Sequence, residues 1–408
     1  MKTGPRVTLA ALLIVYTFNF VDRQILGILA GPIKAELHLS DTRLGLLGGL
    51  AFALLYSTCA IPLASLADRT GRARVIAASL AAWSIATAAC GFATGFGTLF
   101  AARLGVGIGE AGGVAPSYAL IADSFAPNVR ARALAVYSLG IPLGSAAGVL
   151  LGGIIAARVD WRAAFIVVGV AGTIAAPLFR LVVRDPPRAA AAMPVNLGAV
   201  VRILAAKPSF WLLSLGAASS SMLGYGLAFW LPSLLQRSFG LDLAATSRFY
   251  GAVLLIGGVA GIAAGGIVAD RLGGRDRGAH AWVPALAFTG AVPLFAAAML
   301  SHSVPAAFVL LIVPQALAYV WLGPVIAAVQ HLVPSPMRAT ASACFLLINN
   351  LIGLGGGTLF LGRLSDWLTP AYGAEALRYA IVAALGFYLL AAALMAAAVR
   401  PLRRDWID

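Results

Sequence analysis

The sequence predicts an all-α integral membrane protein, with twelve transmembrane helices in two six-helix bundles related by pseudo-two-fold symmetry. Three observations predict it: an oily composition, twelve apolar runs of spanning length, and one loop motif that occurs twice. Hydrophobic residues fill 61% of the 408 positions and charged residues only 11%, where soluble domains carry roughly 25% charged residues. Too few polar side chains exist to coat a water-facing surface, so the chain belongs in a bilayer.

A helix that crosses ~30 Å of hydrocarbon needs about 20 apolar residues. Such runs lie near 7–30, 44–66, 75–95, 97–121, 131–156, 161–182, 209–236, 246–268, 281–301, 305–330, 339–362 and 375–399. Short alternating segments, the mark of a spanning β-strand, are not seen. Lys2 and Arg6 before the first run imitate a signal peptide. Asp22 and Arg23 interrupt that run, however, and no Ala-x-Ala site closes it, so a retained first span is expected.

With both termini inside, nineteen of the 29 Lys and Arg fall in inner loops, eight in outer loops and two within spans. That excess places both termini in the cytoplasm. It also accounts for the net charge of +14 through topology and anionic headgroups, with no call for nucleic acid. A multi-pass monomer of a bacterial inner (plasma) membrane, surrounded by membrane lipids, is expected. Residues 183–208 contain Asp185-Pro186-Pro187-Arg188 and an Ala/Pro-rich stretch. They read as a cytoplasmic linker between an N-terminal bundle, 1–182, and a C-terminal bundle, 209–408.

Several chemistries drop out. None of the three Lys follows a Gly, so the phosphate-cradling loop of an ATP-driven pump is missing. Gly107-x-Gly109-x-x-Gly112 matches a dinucleotide fingerprint but lies inside a span with no strand before it. Cys59, Cys90 and Cys344 sit in apolar runs and give no disulfide framework. His38, His280, His302 and His331 fall in loops or span ends, without ligand spacing, and are expected to be solvated. A membrane enzyme would need a nucleophile with its base, or a metal set, near mid-membrane. Only acids appear there, so no catalytic residue, metal or cofactor is expected beyond a coupling proton.

The internal repeat is specific. Ser65-Leu-Ala-Asp68-Arg69-Thr-Gly71-Arg72 follows the second span, and Gly266-Ile-Val-Ala-Asp270-Arg271-Leu-Gly273 follows the eighth. The two aspartates stand 202 positions apart, close to half the chain. With Arg103-Leu-Gly-Val-Gly107-Ile-Gly109-Glu110 in the fourth span, and Pro142-Leu-Gly144 with Gly148 and Gly152 in the fifth, the sequence resembles the major facilitator superfamily. Ser65 departs from that family's usual leading Gly. Asn19-Phe-Val-Asp22-Arg23, Gly109-Glu110-Ala111, Ala115-Pro116-Ser117-Tyr118, Ile141-Pro142-Leu143-Gly144-Ser145 and Arg338-Ala-Thr-Ala make it similar to the Spinster branch of lipid transporters. That resemblance implies a sphingolipid or lysophospholipid-like substrate.

Asp22 and Glu110 are the acids well inside predicted spans, against Arg23 and Arg103 among the bases. Buried charges cost a few kcal/mol each on insertion scales, so they face partners or a wet cavity. At ~1.5 Å per residue Glu110 lies near mid-membrane, and Arg103 and Asp22 lie level with each other, about 10 Å further out. Arg23 points about 100° away from Asp22, and Asn19 can meet either. An ion pair of Asp22 with Arg103 or Arg23, and Glu110 as a second titratable group, read as a proton-linked switch. The C-terminal half offers neutral groups: Ser221, Tyr225 and Phe229 on span seven, Gln315, Tyr319 and Trp321 on span ten, Asn349 on span eleven. With Asn19, Arg23, Arg103 and Glu110 they form a candidate cavity for an amphiphile, an anionic head on arginine and a tail on aromatics.

Asp68, Arg69 and Arg72, with Arg130 and Arg132, and Asp270 and Arg271, with Arg338, form a candidate cytoplasmic gate. The expected bonds run from Asp68 to Arg130 or Arg132, and from Asp270 to Arg338. The reading is therefore a proton-coupled transporter of a lipid-like molecule working by alternating access, with a uniporter or a drug/proton antiporter as the alternative.

Overall fold

Apolar runs rich in Ala and Leu become helices, because a membrane helix satisfies every backbone group within its own segment. The computed structural model describes residues 4–185, 197–273 and 275–407, the backbone alone at 127, 128, 131, 269 and 270. The chain opens with α1 (Pro5–Ile28), α2 (Ala30–Leu37), α3 (Asp41–Gly48), α4 (Leu50–Thr70) and α5 (Arg72–Cys90). Next come α6 (Phe96–Glu110), α7 (Val114–Ser124), α8 (Pro127–Ser138), α9 (Gly140–Arg158) and α10 (Trp161–Val182). Then follow α11 (Leu197–Ala205), α12 (Pro208–Ser238), α13 (Leu243–Gly273), α14 (Ala279–Leu300) and α15 (Val304–Leu317). The chain closes with α16 (Leu322–Gln330), α17 (Arg338–Asn349), α18 (Gly355–Tyr372), α19 (Ala376–Ala384) and α20 (Gly386–Asp405).

Among the described residues, ten stretches are long and apolar enough to cross a membrane. They fit twelve runs. The run at 97–121 is divided between α6 and α7, each too short alone, and Ser335–Asp405 covers the last two runs together. Residues 186–196 of the expected linker lie outside the described residues, and its last part forms α11.

Four of the interruptions share one cause. Helices break at Leu29, at Ala111–Gly113, at Leu139 and at Ala318–Trp321, and in each case a proline follows three residues after the last broken position. Pro32, Pro116, Pro142 and Pro324 have no amide hydrogen for the carbonyls of Ile28, Gly112, Ser138 and Val320, so the ladder restarts with the proline in the new first turn. Pro62 and Pro232 are carried inside α4 and α12, so proline alone does not dictate a break. At helix starts, Ser40, Asp160, Asp242 and Ser303 accept from the backbone amides of Arg43, Ala163, Ala245 and Ala306. These side chains satisfy donors that the helix itself leaves orphaned.

By contacts the chain forms two compact units. The first is Met1–Ala190 with Ala228–Leu255, and the second is Ala191–Leu227 with Ile256–Asp408. In the first unit the glycine row of α9 lies along α1: Gly144 meets Thr17 and Phe20, Gly148 meets Val21, and Gly152 meets Ile25. A Cβ at Gly148 would stand 2.6 Å from the Val21 carbonyl oxygen. In the second unit Gly257, Gly261 and Gly265 of α13 receive Gln315, Ala316 and Val320 in the same way. Without a hydrophobic drive between helices in lipid, such close backbone approach is what holds them together.

Candidate functional site

The membrane-embedded charges gather in the first unit as two ion pairs. Arg23 of α1 donates from Nε to Glu110 Oε2 at 2.9 Å, with Arg23 12% exposed and Glu110 fully enclosed. Asp22, the neighbouring residue, takes partners of its own on α5 and α6. Its Oδ2 accepts from Thr87 Oγ1 of α5 at 2.7 Å, and its Oδ1 lies 3.5 Å from Arg103 Nη1 of α6. That last separation is an ion pair without a hydrogen bond.

Aromatic rings line these charges. The Arg23 guanidinium sits 5.1 Å from the Phe20 ring centre, 4.8 Å from Phe52 and 4.9 Å from Tyr56, and Arg103 lies 5.8 Å from Phe52. Cation–π attraction strengthens where water is excluded, so the rings replace part of the lost hydration. Beyond them, Tyr16 stacks on Tyr137 at 4.3 Å and Tyr118 meets Tyr137 edge-on at 5.5 Å. Among the described residues, Glu110 Oε1, Arg103 Nε and both polar atoms of Asn19 lack a hydrogen-bond partner. Asn19 therefore makes no hydrogen bond to Asp22 or Arg23, which helical spacing would have allowed. Phe52 and the four tyrosines were not legible as site residues, because isolated aromatics in apolar runs carry no periodic signal.

At one end of this unit the duplicated motif takes a different pairing from the one expected. Asp68 bonds Arg72, at 3.2 Å, and not Arg130 or Arg132; Arg72 also pairs with Asp123. Arg72 wins because it lies only four positions on, across the Gly71 turn. Arg130 instead donates to the Ala122 carbonyl at 2.7 Å. Gly71 itself has φ +131°, and a Cβ there would stand 2.7 Å from Asp185 Oδ2. Asp185 in turn accepts from the amide of Ala73 at 2.8 Å, capping the start of α5. Arg69 and Arg132 are exposed. The side chain of Asp270, and with it the expected bond to Arg338, lies outside the described residues; Arg338 makes no ion pair among them, and Arg271 is exposed.

A second ionic cluster, which the sequence did not reveal, sits elsewhere in the first unit. Buried Asp41 accepts from Arg237 through both oxygens, at 2.7 and 2.8 Å, and also pairs with Lys34. The Phe229 ring packs against Gly48 and its backbone against Gly27, and the residue is buried.

In the second unit, Ser221 Oγ donates to Asn349 Oδ1 at 2.8 Å, just before a π-helical turn at Asn350–Leu354. Tyr319 lies near Gln315 and Tyr225. The edge of Trp321 meets Phe345, 6.3 Å between centres. Of the four histidines, His38 and His302 are exposed as expected, whereas His280 is buried and the half-buried His331 stacks on Trp406 at 4.3 Å.

The family model described as the Major Facilitator Superfamily matches residues 12–357. The chain belongs to this superfamily. Like other members it is an integral membrane transporter. It is 36% identical over 387 residues to an MFS-type efflux pump of Mycolicibacterium smegmatis, covering 93% of this chain and 90% of that one. It is 29% identical to human protein spinster homolog 1, covering 88% and 72%. Among solved structures it is similar to a bacterial homolog of the human lysosomal transporter Spinster in an inward-facing, unoccupied conformation, with a TM-score of 0.89, 30% identity and coverage of 100% and 99%. This facilitator thus resembles Spinster proteins over almost its whole length, as its motifs implied.

Proposed function

We propose that this protein is a proton-coupled secondary transporter that moves an amphiphilic, lipid-like molecule across the membrane by alternating access. The observation that carries the reading is the enclosure of two carboxylates beside two guanidinium groups, Asp22 with Arg103 and Glu110 with Arg23. Uncompensated intramembrane charge is costly, so a change in protonation at either acid re-weights the conformations it can occupy. Asp22 and Glu110 serve as protonation sites. Arg23 and Arg103 serve as their partners and as anchors for an anionic headgroup, which a planar guanidinium binds well.

In the second unit, Ser221, Tyr225, Gln315, Tyr319, Trp321 and Asn349 are the groups assigned to substrate contact. Asp68 and Asp270 bias the gate in this reading, with both termini cytoplasmic and the monomer in a bacterial inner membrane. Similarity to Spinster homologs supports a lipid-like cargo, whereas similarity to an efflux pump favours a drug/proton antiporter as the second reading. A screen of lysophospholipids, sphingoid phosphates and cationic drugs in proteoliposomes separates the two. Lipid uptake that follows an imposed pH gradient supports the first reading. Gradient-driven movement of drugs alone supports the second, and gradient-insensitive transport leaves a uniporter.

A further inference from the structure

Thr87 is 1% exposed, in the interior of α5. Its Oγ1 stands 2.7 Å from Asp22 Oδ2 and 2.9 Å from the carbonyl oxygen of Trp83, one turn back on the same helix. Helical Ser and Thr commonly bond such a carbonyl. Thr17, Thr173 and Thr289 do so with Leu13, Gly169 and Ala285. Thr87 has a second acceptor, and a hydroxyl carries one hydrogen and two lone pairs. It cannot donate to both at once.

We infer that Thr87 is a positioning residue that lets Asp22 gain and lose a proton without either side chain moving. The inference rests on Asp22 being a protonation site. With Asp22 ionised, the Thr87 hydrogen goes to Oδ2 in a charge-assisted bond. When a proton from cavity water binds, a new O–H bond forms at Oδ2 and donates to Thr87 Oγ1. The Thr87 hydrogen then swings to the Trp83 carbonyl. Asp22 and Thr87 stay hydrogen-bonded to each other in both states, the Trp83 carbonyl gains the Thr87 hydrogen in the protonated one, and no heavy atom shifts.

The rest of the surroundings fit that exchange. Oδ1 faces Arg103 Nη1 at 3.5 Å, so the oxygen left as a carbonyl is the one beside the guanidinium. The other charged or titratable groups acting with Asp22 are Arg23 on α1, Glu110 on α6 and Cys90 on α5. Arginines can only donate. Thr87 is the hydrogen-bond partner of Asp22 that can both donate and accept.

Infrared titration of the protein in lipid nanodiscs tests this, with the Asp22 carboxyl band assigned by its loss in Asp22→Asn. Thr87→Ser keeps the hydroxyl and should keep the wild-type midpoint. Thr87→Val is close in shape but has no hydroxyl. It should still fold, yet raise the Asp22 midpoint by about one pH unit, the size expected for a lost hydrogen bond to a charged group. If Thr87→Val does not fold, Thr87→Ala gives the same comparison. An unmoved midpoint in the hydroxyl-free variant overturns the role of Thr87. Proton-coupled transport that persists in Asp22→Asn overturns instead the assignment of Asp22, which the infrared comparison does not depend on.

Discussion

Arg23 and Glu110, 87 positions apart in sequence, hold each other at 2.9 Å while three aromatic rings surround the guanidinium. The pair ties α1 to the last turn of α6, immediately before the break at Ala111–Gly113. A charge change at Glu110 is therefore delivered to a place where the helix is already interrupted.

Removing one partner of that pair should cost far more than removing both. Glu110→Ala strands a buried cation and is expected to destabilise the protein by about 3–5 kcal/mol. Glu110→Gln retains an acceptor and should cost less, and the Arg23→Leu, Glu110→Leu double variant should recover most of the loss. Thermal unfolding in detergent reads all three. A double-variant loss equal to the sum of the two single losses would show that the pair is not coupled.

The α1–α9 contact predicts a position-specific effect of adding a methyl group. Gly148→Ala places a Cβ against the Val21 carbonyl and should cost about 1–3 kcal/mol. Gly224→Ala meets nothing within 4 Å and should be neutral or slightly stabilising. Unfolding midpoints of the two variants give the comparison.

Asp41 and Arg237 predict a releasable contact within the first unit. Asp41→Ala leaves Arg237 without its two carboxylate bonds, and Gln236, which packs on Gly31, should become more accessible. The rate at which a maleimide labels a Gln236→Cys reporter should rise several-fold in the Asp41→Ala background. No change in rate would mean that this ion pair does not hold the segment.

In the second unit, Asp276 lies between the membrane-spanning α13 and α14. Two hydrogen bonds from Arg403, helped by the Gly278 amide and the Trp282 ring N–H, hold its carboxyl down at about 2. A folded value below the ordinary one, near 3.9, means that the contact stabilises the fold at neutral pH. That contribution falls away as the pH drops from about 4 through 2. The hydrogen-exchange protection of residues 275–282, taken against the intrinsic rate at each pH, should therefore fall over that acid window, and Asp276→Asn should show the reduced protection already at pH 7.

Membrane class and the charged motifs were readable because they depend on composition and on residues too costly to place at random. Asp22, Arg23, Arg103 and Glu110 stood out on insertion cost alone, and their depths gave two possible partners for Asp22. The pairing itself needed three dimensions, since helix rotation decides whether Arg23 meets Asp22 or Glu110. The breaks were present in the sequence as Pro32, Pro116, Pro142 and Pro324, but Pro62 and Pro232 look the same there and leave their helices whole. Arg237 looked like an ordinary loop base, because nothing local points to Asp41, 196 positions earlier. Asp68 followed the shorter path, to the arginine across its own turn.

In the proposed cycle, protons move by way of Asp22 and Glu110 as substrate crosses. Substrate-dependent proton flux into proteoliposomes, followed with a trapped pH dye, measures it most directly. The account predicts flux in the wild type, and its loss in both Asp22→Asn and Glu110→Gln while substrate binding survives in at least one of them. Undiminished proton flux in both variants would contradict it.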